Sequence, residues 1–161
     1  GYVEVIRRKT AKLFEAAARL GAVLHAEDRA REDAFARYGM HLGTAFQLID
    51  DVPDYSGDFL KTGKNIGDDL AEGKPTLPLL YAMKHGTPDQ AASIRQAIEH
   101  GGLSEFQSVL AAIKDTNALQ YTREAAQRET RMANSAISCL ADSNSKAALL
   151  QLAAFAVDRS F

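Results

Sequence analysis

The sequence contains a single cysteine, Cys139, among its 161 residues, so an internal disulfide is excluded. The apolar helical pattern around this cysteine predicts a small core residue, and its isolation favours a reducing, cytoplasmic location. The formal net charge of −2 gives no sign of a nucleic-acid partner. No apolar run is long enough to cross a bilayer, and the first residues do not resemble a secretory leader.

Strand-like alternation, internal repeats and low-complexity tracts are also lacking, and hydrophobic spacing predicts an all-α fold. Hydrophobic residues make up 46% of the chain and charged residues 25%, as in a globular protein. We therefore predict a single domain over residues 1–161. Helices are predicted over residues 2–25, 28–55, 79–85 and 88–100, with further helices beginning at Ser104, at Asn117 and after Ser145.

Proline and glycine mark the expected interruptions. Pro53 is predicted to kink the second helix, because proline removes one backbone hydrogen bond. Thr87 followed by Pro88 predicts a capped helix start. Helix caps are also predicted at Asp28 and Ser104, and a turn at residues 143–145. Residues 56–74 are polar and punctuated by glycine, which predicts a long loop. Loops of that length in compact domains are usually functional or disordered.

Residues 43–54 contain the most informative cluster, in which Asp50, Asp51 and Asp54 interrupt an otherwise apolar run. Helical spacing would place Gln47, either Asp50 or Asp51, and Asp54 along one stripe. An exposed acidic helix face is the ordinary interpretation of such charges. The apolar neighbours favour another, a hard divalent cation such as Mg²⁺, which binds carboxylate oxygens and shares its coordination with phosphates.

Two lysines follow glycine in the next segment, Lys64 after Gly63 and Lys74 after Gly73. Glycine allows the backbone to approach a ligand closely, and lysine is a compact charge suited to phosphate. Solvated loop lysines are the alternative, but carboxylates nearby favour a diphosphate site neutralised by metal and lysine together. Nucleotide-binding glycine motifs are absent from the sequence.

Two further sets of residues carry weaker signals. Lys9 and Thr10 lie in the first helix, where a charged, solvated face is by itself the better interpretation. The four histidines have no metal-ligand spacing and are interpreted as surface residues or as residues with satisfied hydrogen bonds; they are His25, His41, His85 and His100.

Residues 46–54 read Phe-Gln, two residues, Asp-Asp, two residues and Asp, which resembles the second aspartate-rich motif of the trans-polyprenyl diphosphate synthases. Lys9-Thr10 is similar to the Lys-Thr helix that precedes this motif in the family. Residues 63–69 and 72–78 resemble the loop that follows it. Three motifs in the family's order are a specific signal, and the similarity covers essentially the whole chain. Within the family, the residues of these motifs are most similar to those of the long-chain bacterial members.

The resemblance implies site roles for particular residues. Asp50 would ligate Mg²⁺ directly, and Asp51 and Asp54 would ligate it directly or through water. Catalytic residues that contact the allylic diphosphate or stabilise the cation derived from it would be Lys9, Thr10, Gln47 and Lys64. Lys74 would be a weaker candidate for the same diphosphate-binding set.

The resemblance also implies an isoprenoid synthase-type helical bundle, of which this chain would be the C-terminal half. Such enzymes ionise an allylic diphosphate, condense it with isopentenyl diphosphate and release a proton, here toward an octaprenyl-type product. A homodimer is expected for the full-length protein. The family's first aspartate-rich motif and the residues for isopentenyl diphosphate are missing from this sequence, so we expect this chain alone to be inactive. A shorter-chain synthase and a non-catalytic partner subunit are the alternatives.

Overall fold

The computed structural model describes residues 1–24, 28–56, 67–101 and 103–158. These residues form helices joined by turns and contain no strand, which confirms the all-α prediction. They cluster into two compact units. The first contains Val3–Ile49 and Ala125–Ser160, and the second contains Asp50–Glu124 together with Tyr2. The expectation of one domain over residues 1–161 stays a prediction.

The N-terminal stretch, predicted as one helix, is interrupted by a wider turn. Helix α1 covers Tyr2–Ile6, a π-helix covers Arg7–Ala11, and helix α2 covers Lys12–Val23. Backbone hydrogen bonds in a π-helix span five residues instead of four, so the turn holds about one extra residue. No glycine or proline marks this turn in the sequence, and hydrophobic spacing does not resolve it. The helical prediction is confirmed, but the register change was missed.

Helix α3 covers Arg29–Asp50 and is followed by the short helix α4, Pro53–Ser56. The predicted cap at Asp28 is confirmed, since its carboxylate accepts a hydrogen bond of 3.0 Å from a backbone N–H of the first turn. The prediction of one kinked helix as far as Tyr55 is wrong. Pro53 has no N–H to continue α3 and instead begins α4, a position that proline favours.

Five helical segments of the second unit surround a core of aliphatic side chains. They are α5 (Asp68–Ala71), α6 (Leu77–His85), α7 (Pro88–His100), a 3-10 turn (Leu103–Glu105) and α8 (Phe106–Asp115). Leu70 of α5 is fully buried and packs into this core with Leu79, Ile94 and Val109. The predicted loop over 56–74 is therefore wrong for residues 68–71, and residues 57–66 lie outside the described part of the chain.

The capping predictions for this unit have different outcomes. Thr87 caps α7, because its hydroxyl accepts from the Gln90 backbone N–H at 3.2 Å, and the Gln90 side chain accepts from the Thr87 N–H at 2.9 Å. This reciprocal pair is a capping box and confirms the prediction. The predicted cap at Ser104 is wrong, because this residue lies inside the 3-10 turn and α8 begins only at Phe106.

The last helices are α9, Ala118–Ala136, and α10, Asn144–Val157. The Ser143 hydroxyl caps α10, which agrees with the turn predicted there. Cys139 is exposed in the turn after α9, so the prediction of a core cysteine is wrong. Its apolar neighbours suggested a longer helix, but α9 ends three residues earlier. No helix within the described residues has the length and hydropathy needed to cross a membrane.

Glycine allows α3 to pack closely on the N-terminal helices of the first unit. A Cβ at Gly43 would lie 2.8 Å from the Cα of Ala11, and a Cβ at Gly39 would collide with the backbone carbonyl of Phe14. Distances this short are tolerated only when no side chain is present. By contrast, a Cβ added at Gly21, on the exposed side of α2, would meet no neighbouring atom within 4 Å. The α3 glycines therefore set the spacing between these helices.

We expect Gly39→Ala to lower the free energy of unfolding by about 1–3 kcal/mol, because the added methyl group forces two helix backbones apart. Gly21→Ala is the matched control and should raise the same quantity by up to about 1 kcal/mol, because alanine is the better helix former. Urea unfolding of the wild type and both variants measures the difference. An equally stabilised Gly39→Ala variant would contradict the close approach.

Candidate functional site

Thr10 and Gln47, two of the predicted diphosphate-binding residues, lie together in the first unit. The Thr10 hydroxyl donates to the Gln47 side-chain oxygen at 3.1 Å. Both residues are half-buried. This hydrogen bond fixes the orientation of the Gln47 amide, because an oxygen that accepts from Thr10 leaves the amide N–H₂ group as the donor for other partners.

The wide turn at Arg7–Ala11 contains both Lys9 and Thr10. Single π-turns inside α-helices are rare and are frequently found at functional sites. The extra residue changes the direction in which the side chains of the turn point, relative to an unbroken α-helix. Lys9 is exposed and Ala11 is fully buried. The turn thus buries its last residue against α3 while the Lys9 ammonium remains accessible to an anion.

The three acids of the predicted metal cluster occupy different positions in the second unit. Asp50 is the last residue of α3 and is partly exposed, whereas Asp51 and Asp54 are almost completely buried, at 1% and 2% exposure. The predicted single stripe is wrong, because α3 ends at Asp50 and the next two acids follow the break before Pro53. The end of the helix therefore gives the three carboxylates different surroundings.

Asp51 accepts a hydrogen bond of 2.6 Å from the hydroxyl of Tyr2. Burial, together with the charge of Asp51 and this hydrogen bond, raises the pKa of the Tyr2 hydroxyl above its usual value. The tyrosine therefore remains a donor at any physiological pH. A buried carboxylate that accepts from a neutral donor keeps its negative charge at lower cost.

Asp54 stabilises the start of α5 at two points. Its side chain accepts from the backbone N–H of Asp69 at 3.0 Å, and its backbone carbonyl accepts from the N–H of Gly67 at 3.1 Å. Gly67 has a φ of 87°, a left-handed conformation that glycine adopts without strain. Asp54 therefore connects the acid cluster to the segment that begins at residue 67.

Asp50 is the acid whose position best suits a direct metal ligand. The C-terminal end of a helix carries a partial negative charge, and a carboxylate there adds to the potential that attracts a cation. Within the described residues no group of three or more carboxylate, histidine or cysteine side chains is arranged to hold a metal ion. One carboxylate nevertheless fits Mg²⁺, which is usually bound by one or two carboxylates, with water and substrate phosphate oxygens as its other ligands.

The two predicted loop lysines have different outcomes. Lys74 forms ion pairs with Asp69 at 2.8 Å and Glu72 at 2.7 Å, and its hydrogen bonds to these two acids raise its pKa. Its charge is thus already shared by two carboxylates, and its diphosphate-binding role stays a prediction. Lys64 lies outside the described residues, so its role stays a prediction.

Sequence reasoning missed a network of polar side chains around one carboxylate in the first unit. The Glu129 carboxylate accepts from Arg7 Nη2 at 3.1 Å and lies 2.6 Å from His41 Nδ1. Burial alone would raise the pKa of Glu129, but the His41 hydrogen bond and the Arg7 charge outweigh it and lower the pKa. His41, interpreted from sequence as a surface residue or a residue with satisfied hydrogen bonds, is buried and has this partner. Nothing in the spacing of these residues links them, because 88 positions separate His41 from Glu129.

Residues 1–115 match the polyprenyl synthetase family, and the chain belongs to it. Octaprenyl diphosphate synthases are among its relatives. Those of Haemophilus influenzae and of Escherichia coli strain K12 are each 50% identical, over 99% and 98% of this chain respectively. In each case the chain spans 49% of the relative's length.

Solved structures agree with this assignment. A polyprenyl synthase from Caulobacter crescentus, described as complexed with calcium and isoprenyl diphosphate, has a TM-score of 0.88 and 40% identity, and the match covers 98% of this chain and 49% of that one. A decaprenyl diphosphate synthase from Rhodobacter capsulatus has a TM-score of 0.89 and 35% identity over the same shares. The chain therefore spans about half the length of the relatives it matches.

The Glu129 network predicts a pH-dependent stability. Because the pKa of Glu129 is lower in the folded protein than in the unfolded chain, its contribution is present above about pH 4.5 and is lost as the pH falls through the folded value. Glu129→Gln should therefore reduce the free energy of unfolding by about 1–3 kcal/mol at neutral pH, and the difference from wild type should narrow below about pH 4.5.

Urea unfolding of both proteins between neutral pH and pH 3 measures this difference. Glu32→Gln is the control, because Glu32 is paired with the exposed side chain of Arg19 at 2.6 Å and its loss should have a smaller effect. A constant Glu129→Gln deficit across this range would contradict the assignment of a charged Glu129.

Proposed function

We propose that this chain forms part of a trans-polyprenyl diphosphate synthase of the octaprenyl type. The enzyme would condense isopentenyl diphosphate units onto an allylic diphosphate and release a proton at each cycle. The observation that carries the proposal is 50% identity to octaprenyl diphosphate synthases across nearly the whole chain. The Thr10–Gln47 hydrogen bond and the acids at the end of α3 support it, since both lie in the motifs that resemble the family's.

Leaving-group activation is the chemical task of such a site. Diphosphate leaves only when its charge is neutralised, and positioned cations supply that neutralisation in the transition state. Bound Mg²⁺ would supply most of this positive charge. Lys9 and Lys64 would add ammonium groups to the same diphosphate, and the Thr10 hydroxyl and Gln47 amide would orient it. Because these groups interact most strongly with the developing negative charge, they favour ionisation over simple binding.

The acids would divide the metal-binding task. Asp50, partly exposed at the end of α3, would contact Mg²⁺ directly. Asp51 and Asp54, both buried and hydrogen-bonded, would act through water or through the orientation of the backbone around Asp50. Groups that orient a ligand commonly change metal affinity by 10–100-fold when removed. Their burial therefore agrees with a role in the site without requiring direct contact.

Lys74 would contribute less to diphosphate binding than Lys9. The ion pairs of Lys74 with Asp69 and Glu72 would have to loosen before its ammonium group could turn toward a phosphate. Lys9 is exposed on the wide turn beside Thr10. We further propose, from the family, that the full-length protein is a cytoplasmic homodimer.

We expect the chain to bind pyrophosphate in a Mg²⁺-dependent manner, and Asp50→Asn to weaken this binding at least about tenfold, because it removes the charged ligand. Isothermal titration with Mg²⁺ and pyrophosphate, together and separately, measures it. Asp142→Asn is the matched control, because the Asp142 side chain is fully exposed, at 100%, in the turn before α10. Binding that is independent of Mg²⁺, or equal in wild type and Asp50→Asn, would contradict the metal site.

Product length separates this proposal from its alternatives. In the full-length polypeptide, incubation with Mg²⁺, an allylic diphosphate and radiolabelled isopentenyl diphosphate should yield octaprenyl diphosphate on chromatography. Geranylgeranyl or farnesyl diphosphate as the final product would instead establish a shorter-chain synthase. Incorporation that requires a second, homologous polypeptide would establish a partner subunit. The 161-residue chain alone should incorporate none.

A further inference from the structure

Arg7, His41 and Glu129 join three elements of the first unit at one carboxylate. Arg7 begins the π-helix, His41 lies in α3 and Glu129 lies in α9. The side chains of His41 and Glu129 are only 11% and 12% exposed, so water screens their interaction weakly. A charge-assisted contact of this kind is stronger than a neutral hydrogen bond and constrains the geometry of both partners.

The π-helical turn needs such constraints. Its hydrogen-bond geometry is less favourable than that of an α-helix, so it persists where surrounding contacts determine the backbone. At one end of the turn, Ala11 is held against α3, where a Cβ on Gly43 would lie 2.8 Å from its Cα. At the other end, Arg7 is held by Glu129 at 3.1 Å. Lys9 and Thr10 lie between these two attachments.

Both attachments fix the position of the turn relative to α3. His41 and Gly43 are two residues apart in α3, and Gln47, the acceptor for Thr10, is one turn further along. Because Glu129 contacts both His41 and Arg7, it fixes the position of Arg7 relative to His41. If Glu129 lost its charge, Arg7 would lose its ionic partner, and the extra residue of the turn could shift in register while Ala11 stayed in place. Thr10 and Lys9 would then change direction.

We propose that Arg7, His41 and Glu129 are positioning residues, which hold the wide turn so that Lys9 and Thr10 face a diphosphate group. This inference rests on the proposed function for its ligand, but its structural part concerns the turn alone. A plain stabilising ion pair would lower stability when broken and leave the turn unchanged. Breaking a positioning network would change the conformation of the turn itself. The NMR signals of residues in the turn therefore distinguish the two roles.

The test compares Glu129→Gln with Glu32→Gln, a matched loss of one carboxylate charge. Glu32 pairs with Arg19 and joins α2 to α3 away from the wide turn. The backbone amide NMR signals of Lys9 and Thr10 and the methyl signal of Thr10 are recorded in both variants, and Mg²⁺-pyrophosphate affinity is measured by titration. We expect Glu129→Gln to shift these signals and to weaken pyrophosphate binding at least about tenfold, whereas Glu32→Gln should change neither.

Unshifted signals of Lys9 and Thr10 in a folded Glu129→Gln protein would overturn the proposal, whatever its stability. Shifted signals with unchanged pyrophosphate affinity would overturn it too, because the turn would then not serve the ligand. A wild type that binds no pyrophosphate would count against the proposed function, while the NMR signals would still decide whether the network holds the turn. If Glu129→Gln fails to fold, Arg7→Met and His41→Gln should shift the same two residues.

Discussion

The close approach of α3 to the N-terminal helices is the constraint on which the first unit depends. Gly39 and Gly43 remove the side chains that would otherwise separate the two backbones. This spacing buries Ala11 and brings Gln47 within 3.1 Å of Thr10. Because α3 also continues to Asp50, the helix that fixes the polar pair carries the first acid of the predicted metal motif. The helix whose glycines set the packing distance therefore also contains candidate site residues.

The end of α3 gives three neighbouring acids three different environments. Pro53 stops the helix, so Asp50 remains at a partly exposed helix end while Asp51 and Asp54 are buried in the second unit. There Tyr2 donates to Asp51, and the N–H of Asp69 donates to Asp54. Burial with specific donors keeps the two acids ordered. The proposed division of roles among these carboxylates follows from this difference in exposure.

Local signals predicted some local features. Thr87 and Asp28 were recognised as helix caps, because a cap depends on residues within one turn, but the same reasoning placed a cap wrongly at Ser104. The wide turn at Arg7–Ala11 had no such signal. Cys139 was misjudged because apolar neighbours indicate a helix without showing where it ends. The metal and diphosphate sites were predicted from the residues, and the roles of individual residues came from a resemblance in motifs; both remain proposals.

The sequence by itself determined that the chain is all-α, that it carries the Phe-Gln and aspartate pattern at residues 46–54, and that it belongs with the polyprenyl synthetases. Periodicity and motif spacing depend only on residues that are close together in the sequence, so they are recognisable without coordinates. Only the tertiary structure decided which acids are buried and that Glu129 joins Arg7 to His41. Such contacts depend on how distant segments pack, and the energy of a buried charge depends on partners that sequence spacing does not identify.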